Sequence, residues 1–341
     1  VYKDESLQYI PLSKIERLKK IDAIDSSFEK DFDFAFDLKE ARKKFGSYIE
    51  KRFSKKDYCP LLKENIDSSE DIGLFIYIPA KVHVEAPINI ALESGAKYQK
   101  VMIFAGRDSR AQFIFKASKD RSFCHSWIDV TVDRAANVES ILIDDRDSEG
   151  AHFFHIDASV MQEARFEQKI FSAGGYLKRY RFDASIEGEG GHAEIKEFGM
   201  GKSSSDTHLY SKIHHKAPHT TSYQLSKHLL FEEARASFTG KIHIDSIAQL
   251  SNAYQLSNSL LLSPKAISHV KPGLEIFADD VKASHGATIS SIDSELLFYL
   301  ESRGLNVDSA KRLLTLSFAR NLLDCLDETS SREWKEKIYA K

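Results

Sequence analysis

Histidines and paired carboxylates are the residues of this chain best suited to metal or acid–base chemistry, and there are 13 histidines among the 341 residues. His208, His214, His215, His219 and His228 crowd into one short stretch. Their spacing fits no common zinc pattern, and no Cys or carboxylate pair accompanies them in register. They read as polar positions on strand faces, with a turn at Pro218; His152 and His155 form a weaker pair of the same kind. Asp144-Asp145 and Asp279-Asp280 have the composition of the carboxylate pairs of a glycosidase or a Ca²⁺-dependent lyase. Adjacent residues on a strand point to opposite faces, however, so the two members of each pair do not converge. Gly188, Gly190 and Gly191 resemble a phosphate loop, but no Lys-Ser/Thr follows and no helix is predicted after them, so they read as glycines at a coil corner. Gly199-Met200-Gly201-Lys202-Ser203 ends like a P-loop, yet position 196 is Lys where the first glycine is needed. A nucleotide site is therefore not expected. From residue type alone, His285 beside Gly286 is a histidine hydrogen-bonding across a tight turn.

The elements that must position these residues fall into three zones. Residues 1–70 are rich in Lys, Glu, Asp and Phe and predict a helical region. In Leu38 to Phe53 the apolar residues Leu38, Ala41, Phe45, Tyr48 and Ile49 recur at three- and four-residue steps, which places them on one helical face. Ser13 and Glu16 have capping-box spacing for a further helix over Ser13 to Lys20.

Residues 71–287 read as β almost throughout, for example in Leu74 to Ile78, Val101 to Phe104, Ala111 to Phe115, Ile128 to Val132 and Ile141 to Ile143. No long amphipathic helix interrupts them, which disfavours a doubly wound βαβ fold. A small–polar–apolar triplet recurs, starting at Ala80, Ala111, Ala136, Ala164 and Ala193, with gaps of 31, 25, 28 and 29 residues. Such spacing suits a solenoid whose small residues sit at coil corners. An irregular β-sandwich accounts for the pattern equally well.

Residues 288–341 predict a helical domain. Ser294 to Ser302 and Ser309 to Leu326 are helical, with Gly304 between them as a C′ residue and Asp308 or Ser309 as the next N-cap. These helices are expected to cap the end of the solenoid, which would otherwise expose apolar surface and an unpaired strand edge.

Composition narrows the class. Lys and Arg total 48 against 51 Asp and Glu, a net charge of −3, which gives no support for nucleic-acid or membrane-surface binding. The apolar fraction of 42% and charged fraction of 29% are those of a folded globular protein. Cys59, Cys124 and Cys325 are far apart with no CxxC, so neither a disulfide framework nor a structural zinc site is expected. A reducing, cytoplasmic setting follows. No apolar run has the roughly 18 residues of a membrane span, and Val1 to Lys20 lacks a signal-peptide apolar region. The chain begins at Val1, not Met, which points to a preceding segment.

One segment carries a specific resemblance. It reads Asn258-Ser-Leu-Leu-Leu-Ser263, then Lys271-Pro272-Gly-Leu274-Glu275-Ile276. It continues Asp279-Asp280-Val281-Lys282-Ala283-Ser284-His285-Gly286-Ala287-Thr288 and ends Leu297-Phe298-Tyr299-Leu300-Glu301-Ser302-Arg303-Gly304. This resembles the signature of the SufB/SufD family of iron–sulfur cluster assembly proteins, and the chain's length and helical N-terminal zone are those of the SufD branch. Weaker similarity covers His214 to Ser222, Lys227 to Leu230 and Ala234 to Gly240.

The resemblance implies a right-handed parallel β-helix flanked by N- and C-terminal helical regions. It implies a non-enzymatic scaffold subunit that pairs with a SufB-like paralogue and docks a SufC-like ABC ATPase. It also implies a partner-binding set of Lys282, Ser284, His285, Phe298, Tyr299 and Arg303, and a role for His285 as an iron or nascent-cluster ligand at the SufB interface. No cofactor is expected to be held stably by the isolated chain, and a homodimer is expected in the absence of SufB. One departure matters: the family commonly has Cys where this chain has Ala283. Alanine supplies neither a thiolate ligand nor a sulfur acceptor, so any metal chemistry there falls to His285. The rival reading is a polysaccharide-active β-helix enzyme.

Overall fold

The computed structural model describes residues 9, 35–54, 73–92, 98–117, 123–145 and 150–339. The expected helix over Ser13 to Lys20 and Cys59 lie outside the described residues. The chain runs β1 (Ala35–Asp37), α1 (Leu38–Phe53), β2 (Leu74–Ile78), β3 (Ile88–Leu92), β4 (Tyr98–Ala105), β5 (Arg110–Ala117), β6 (Phe123–Val132), β7 (Asn137–Asp145) and β8 (Ala151–Val160). It continues β9 (Arg165–Ala173), β10 (Leu177–Ile186), β11 (His192–Gly201), β12 (Asp206–His215), β13 (Thr221–Leu230), β14 (Arg235–Ile244), β15 (Ser251–Leu261), β16 (Ile267–Ile276) and β17 (Val281–Ser291). Three helices follow: α2 (Ser294–Ser302), α3 (Val307–Leu323) and α4 (Glu328–Tyr339).

Successive strands alternate between two sheets. Even-numbered strands form a nine-stranded sheet in the order β1-β2-β4-β6-β8-β10-β12-β14-β16, and odd-numbered strands an eight-stranded sheet running from β3 to β17. Every pairing is parallel except β1 with β2. The result is a parallel β-solenoid, as expected, and not a sandwich. Every second residue points inward, so Ile76, Ile103, Val130, Phe154, Phe166, Phe182, Ile195 and Leu209 stack coil on coil in a continuous core. Each such side chain contributes roughly 1.5–3 kcal/mol on burial.

The coils are punctuated by a signal that sequence reading misses. Lys81, Asp108, Ala135, Glu163, Gly190, His219 and Leu250 all adopt left-handed backbone, with φ from 56° to 72°. One falls at the same corner of each coil. Each donates its N–H to a backbone carbonyl of the next coil, as in Asp108 to Arg134, Glu163 to Glu189 and His219 to Gln249. Six of these seven residues are not glycine, and the conformation costs an L-residue about 1–2 kcal/mol; the stacked hydrogen bonds hold it in place. The alanine triplets are out of phase with the true register. Val138 pairs with Ala111 and with Phe166, so Ala136 and Ala164 fall two positions before the level of Ala111 and Ala193.

Helix α1 lies on the outer face of the nine-stranded sheet. Leu38, Ala41 and Ile49 pack on Phe75 and Met102, with Phe45 and Tyr48 beside them, as the helical periodicity predicts. Arg52 at its end donates from Nε to both carboxylate oxygens of Asp129 at 2.8 Å and from Nη1 to Ser159 Oγ at 2.7 Å.

The C-terminal helices correct two expectations. The N-cap of α3 is Asn306, whose side chain accepts from Ser309 N–H at 2.8 Å, two residues before Asp308 and three before Ser309. Moreover, α3 and α4 do not cap the solenoid end. Ala319, Leu322, Leu323, Trp334 and Ile338 pack on Phe171, Phe198, Met200, Leu229 and Leu260, which line the outer face of the eight-stranded sheet. Lys227 fixes the crossing by donating to Phe318 O at 2.9 Å and Asn321 Oδ1 at 2.8 Å. That outer face is apolar and needs cover, so the helices lie along the flank.

Candidate functional site

Because the helices cover the flank, no described strand continues the solenoid beyond the last coil. Among the described residues β16 pairs with β14 alone and β17 with β15 alone, and the Tyr9 ring stacks on His269 of β16 at 4.9 Å. The burial that runs through β6 and β8 is lost here, and most of β17 is exposed. Ile267, Ile276, Phe277 and Ile289 are exposed apolar side chains of this coil.

Pairing fixes the direction of each candidate residue on β17. His285 is the register partner of Gln255, which in turn pairs with Gln224. Gln255 is buried and donates from Nε2 to Gln224 Oε1 at 2.8 Å. His285 therefore continues an inward-facing ladder, Ile195–Gln224–Gln255–His285, and ends it exposed at the mouth of the solenoid. Ala283, on the same side, packs with Ile242, Ile244 and Ala253 in the core of the last coils. A Cys there would stand on the same inward face as His285. Lys282 and Ser284 alternate to the outer face, in register with Asn252 and Tyr254.

Phe298, Tyr299 and Arg303 form a separate group on and just beyond α2. This helix has no buried residue, and Phe298 is 72% exposed and Tyr299 53%. The Arg303 guanidinium lies over the Tyr299 ring, 5.3 Å from its centroid. Gly304, at φ 93°, turns the chain after α2 as its position predicts. The six residues thus form two groups: a strand-edge group at the mouth and a helix group beside it.

The histidines do not share one site. His208 Nδ1 lies 2.7 Å from Ser237 Oγ, and His215 is enclosed between Thr220 and Ser222; burial pushes its pKa down to about 4. His219 is one of the left-handed corner residues. His228 Nε2 lies 3.3 Å from Glu197. His214 is a polar residue on an outer strand face, as expected, and a second histidine joins it there. Its Nε2 lies 2.9 Å from Asp245 Oδ1, and His243, which sequence reading passed over, lies 3.0 Å from the same oxygen. Burial pushes the Asp245 carboxyl up, but His214 and His243 outweigh it and hold it below its ordinary value. The signal was available in hindsight: His214 and His243 stand 29 residues apart, one coil, as register partners on β12 and β14.

The carboxylate pairs are structural. Asp144 is buried inside the solenoid, where its Oδ2 accepts from Tyr180 Oη at 2.8 Å and faces His152 Nδ1 at 2.9 Å. Asp145 points outward to Lys337 of α4, so the two diverge as strand geometry requires. Asp279 and Asp280 lie in the corner before β17, not on a strand, and Asp280 O accepts from Leu250 N–H at 2.6 Å. The glycine loop is likewise a corner: a Cβ on Gly188 would stand 2.1 Å from the backbone nitrogen of Gln162 in the preceding coil.

Comparison with known proteins agrees with this geometry. A family model described as "SUF system FeS cluster assembly, SufBD core domain" matches residues 89–318. The chain is 30% identical over 267 residues to the protein ABCI7, chloroplastic, of Arabidopsis thaliana, covering 74% of this chain and 56% of that protein. It is 30% identical over 213 residues to the iron–sulfur cluster assembly protein SufD of Escherichia coli, covering 62% and 50%. It is 39% identical over 176 residues to a SufBD family protein of Synechocystis, covering 50% and 38%. The alignments thus take in about half the length of these relatives. Solenoid, signature and similarity converge: this chain belongs to the SufB/SufD family.

Proposed function

We propose that the chain is a non-catalytic scaffold subunit of the SUF iron–sulfur cluster assembly complex, pairing with a SufB-like paralogue through its last coil and docking a SufC-like ATPase beside α2. The observation that carries this reading is the open coil itself. Among the described residues no further strand lies beside the parallel edges of β16 and β17, and exposed apolar side chains surround them. Proteins cover such edges or use them for strand addition. The neighbouring α2, with Phe298, Tyr299 and Arg303 exposed, has the residue types that anchor interfaces. Among the described residues no helix is long and apolar enough to cross a membrane, in keeping with work in the cytoplasm.

Within that assembly we assign His285 the role of an iron or nascent-cluster ligand. Support comes from its position: exposed at the mouth, it faces whatever covers the coil, and an imidazole is a good ligand for iron. Ala283 leaves any thiolate to the partner. Co-expression of the tagged chain with SufB and SufC homologues should yield a complex of all three. Elution of the chain alone, with both partners soluble, would sink the docking reading. In that complex His285→Ala should lower cluster yield at least several-fold while assembly is unchanged; unaltered yield removes the ligand role.

A further inference from the structure

A second histidine site lies away from the mouth, on the outer face of the nine-stranded sheet. His214 of β12, His243 of β14 and Glu275 of β16 are direct register partners, and Asp245 follows β14 on the same face as His243. His214 Nε2 and His243 Nε2 meet at one atom, Asp245 Oδ1, at 2.9 and 3.0 Å. The two rings are 4.4 Å apart at 75°. The other nitrogen of His243, Nδ1, lies 2.9 Å from Glu275 Oε2.

With neutral imidazoles, hydrogen-bond accounting leaves this arrangement one proton short. Carboxylates only accept, and a neutral imidazole has a single N–H. If His243 donates Nδ1–H to Glu275, its Nε2 lone pair points at the Asp245 oxygen with no proton between them. That is the layout of a metal-binding histidine, in which a carboxylate fixes the tautomer from behind and the opposite nitrogen is free to coordinate. The two imidazole nitrogens and the Asp245 oxygen lie within 4.8 Å of one another. Metal bonds of about 2.0–2.1 Å in a tetrahedral site place ligand atoms about 3.3 Å apart. Opening the cluster by a few tenths of an ångström therefore admits an ion, and the partial exposure of all three residues gives it a way in.

Among the described residues the other compact group of this kind, His155 with Asp157 and Asp183, makes a contrast. There Trp127 Nε1 donates to Asp157 at 3.0 Å and Arg181 Nε donates to Asp183 at 2.5 Å, so the carboxylates already hold a cation and an N–H. No guanidinium or indole reaches Asp245 among the described contacts. Lys212 and Lys241 act on Glu275, and Lys216, which acts on His214, is engaged by Glu187 at 2.8 Å.

We propose that His214, His243 and Asp245 form a surface site for a divalent transition-metal ion such as Zn²⁺ or Co²⁺, with Glu275 orienting His243 and at least one coordination position open to solvent. The two-imidazole, one-carboxylate donor set matches that class of ion and not Mg²⁺ or Ca²⁺.

The test uses the full chain. Isothermal titration with Zn²⁺, and the visible absorption of added Co²⁺, compare the wild type with His214→Ala/His243→Ala, Asp245→Asn, Glu275→Gln and His285→Ala, each checked for fold by circular dichroism. The expected result is one metal equivalent lost in the double variant and in Asp245→Asn, binding weakened about 10-fold in Glu275→Gln, and the site retained in His285→Ala. Equal stoichiometry and affinity in the wild type and the double variant, or wild-type binding by Asp245→Asn, overturns the proposal. Because His285→Ala is the variant that probes cluster assembly, failure of one reading is separable from failure of the other.

Discussion

At Gly188 the backbone of the preceding coil fills the space a side chain would need. Gly188→Ala must therefore shift a backbone segment, and we expect a loss of about 3 kcal/mol in chemical denaturation; a variant within error of the wild type would show that this corner yields. Glu194 gives a pH-dependent case. Burial raises its carboxyl, but hydrogen bonding and charge from His192 and Lys196 outweigh this and hold the pKa at about 2, against an ordinary 4.5; Lys196 Nζ lies 2.8 Å from it. A depressed folded pKa contributes stability that is fully present above about pH 4.5 and lost as the pH falls through 2. Allowing for solvent screening, Glu194→Gln should cost about 1 kcal/mol at pH 7, with a narrower gap at pH 3. A gap that stays constant between pH 7 and pH 3 would contradict the assignment. At this scale the sequence signature located Lys282, Ser284 and His285 on one strand, and alternation then placed them on different faces. The meeting of His214 with His243 shows in the sequence only once the length of a coil is known, because coil register, not local spacing, brings them together.

The elements were legible where burial follows a simple period. The Leu38 face of α1 was readable because three- and four-residue steps mark one packed side. The strands were readable because inward residues such as Phe113, Val130 and Phe166 alternate with polar ones. The corners were legible only where Gly188 to Gly191 or Pro218 marks them; Lys81, Glu163 and Leu250 hold left-handed backbone without being glycine, and the neighbouring coil supplies the compensating hydrogen bond. The position of α3 and α4 was also hidden. It depends on Phe171, Phe198, Met200 and Leu229, which sequence reading could not separate from ordinary strand residues. Trp334 packs its ring against Phe171 and Phe198, each 5.9 Å between centroids. Trp334→Ala should remove about 3–5 kcal/mol of packing and release these helices locally. Faster proteolysis within residues 307–339, with the β circular-dichroism signal intact, is the expected readout; unchanged cleavage would mean that the Lys227 and Lys337 contacts suffice.

For the whole molecule the open coil dominates behaviour in solution. Without a partner it should pair with a second copy, and Ile276→Lys with Ile289→Lys should shift sedimentation toward the monomer; equal sedimentation of variant and wild type would place the contact elsewhere. The two ends of the nine-stranded sheet differ. At one end β1, three residues long and antiparallel, finishes the edge of β2; at the other no described strand follows β16, and the Tyr9 ring stacks on its His269. A rod bare at both ends adds units indefinitely, whereas this sheet offers a partner one usable terminus. Two copies joined head to head through β16 would leave a β1 edge at either end, so the nine-stranded sheet would grow no further.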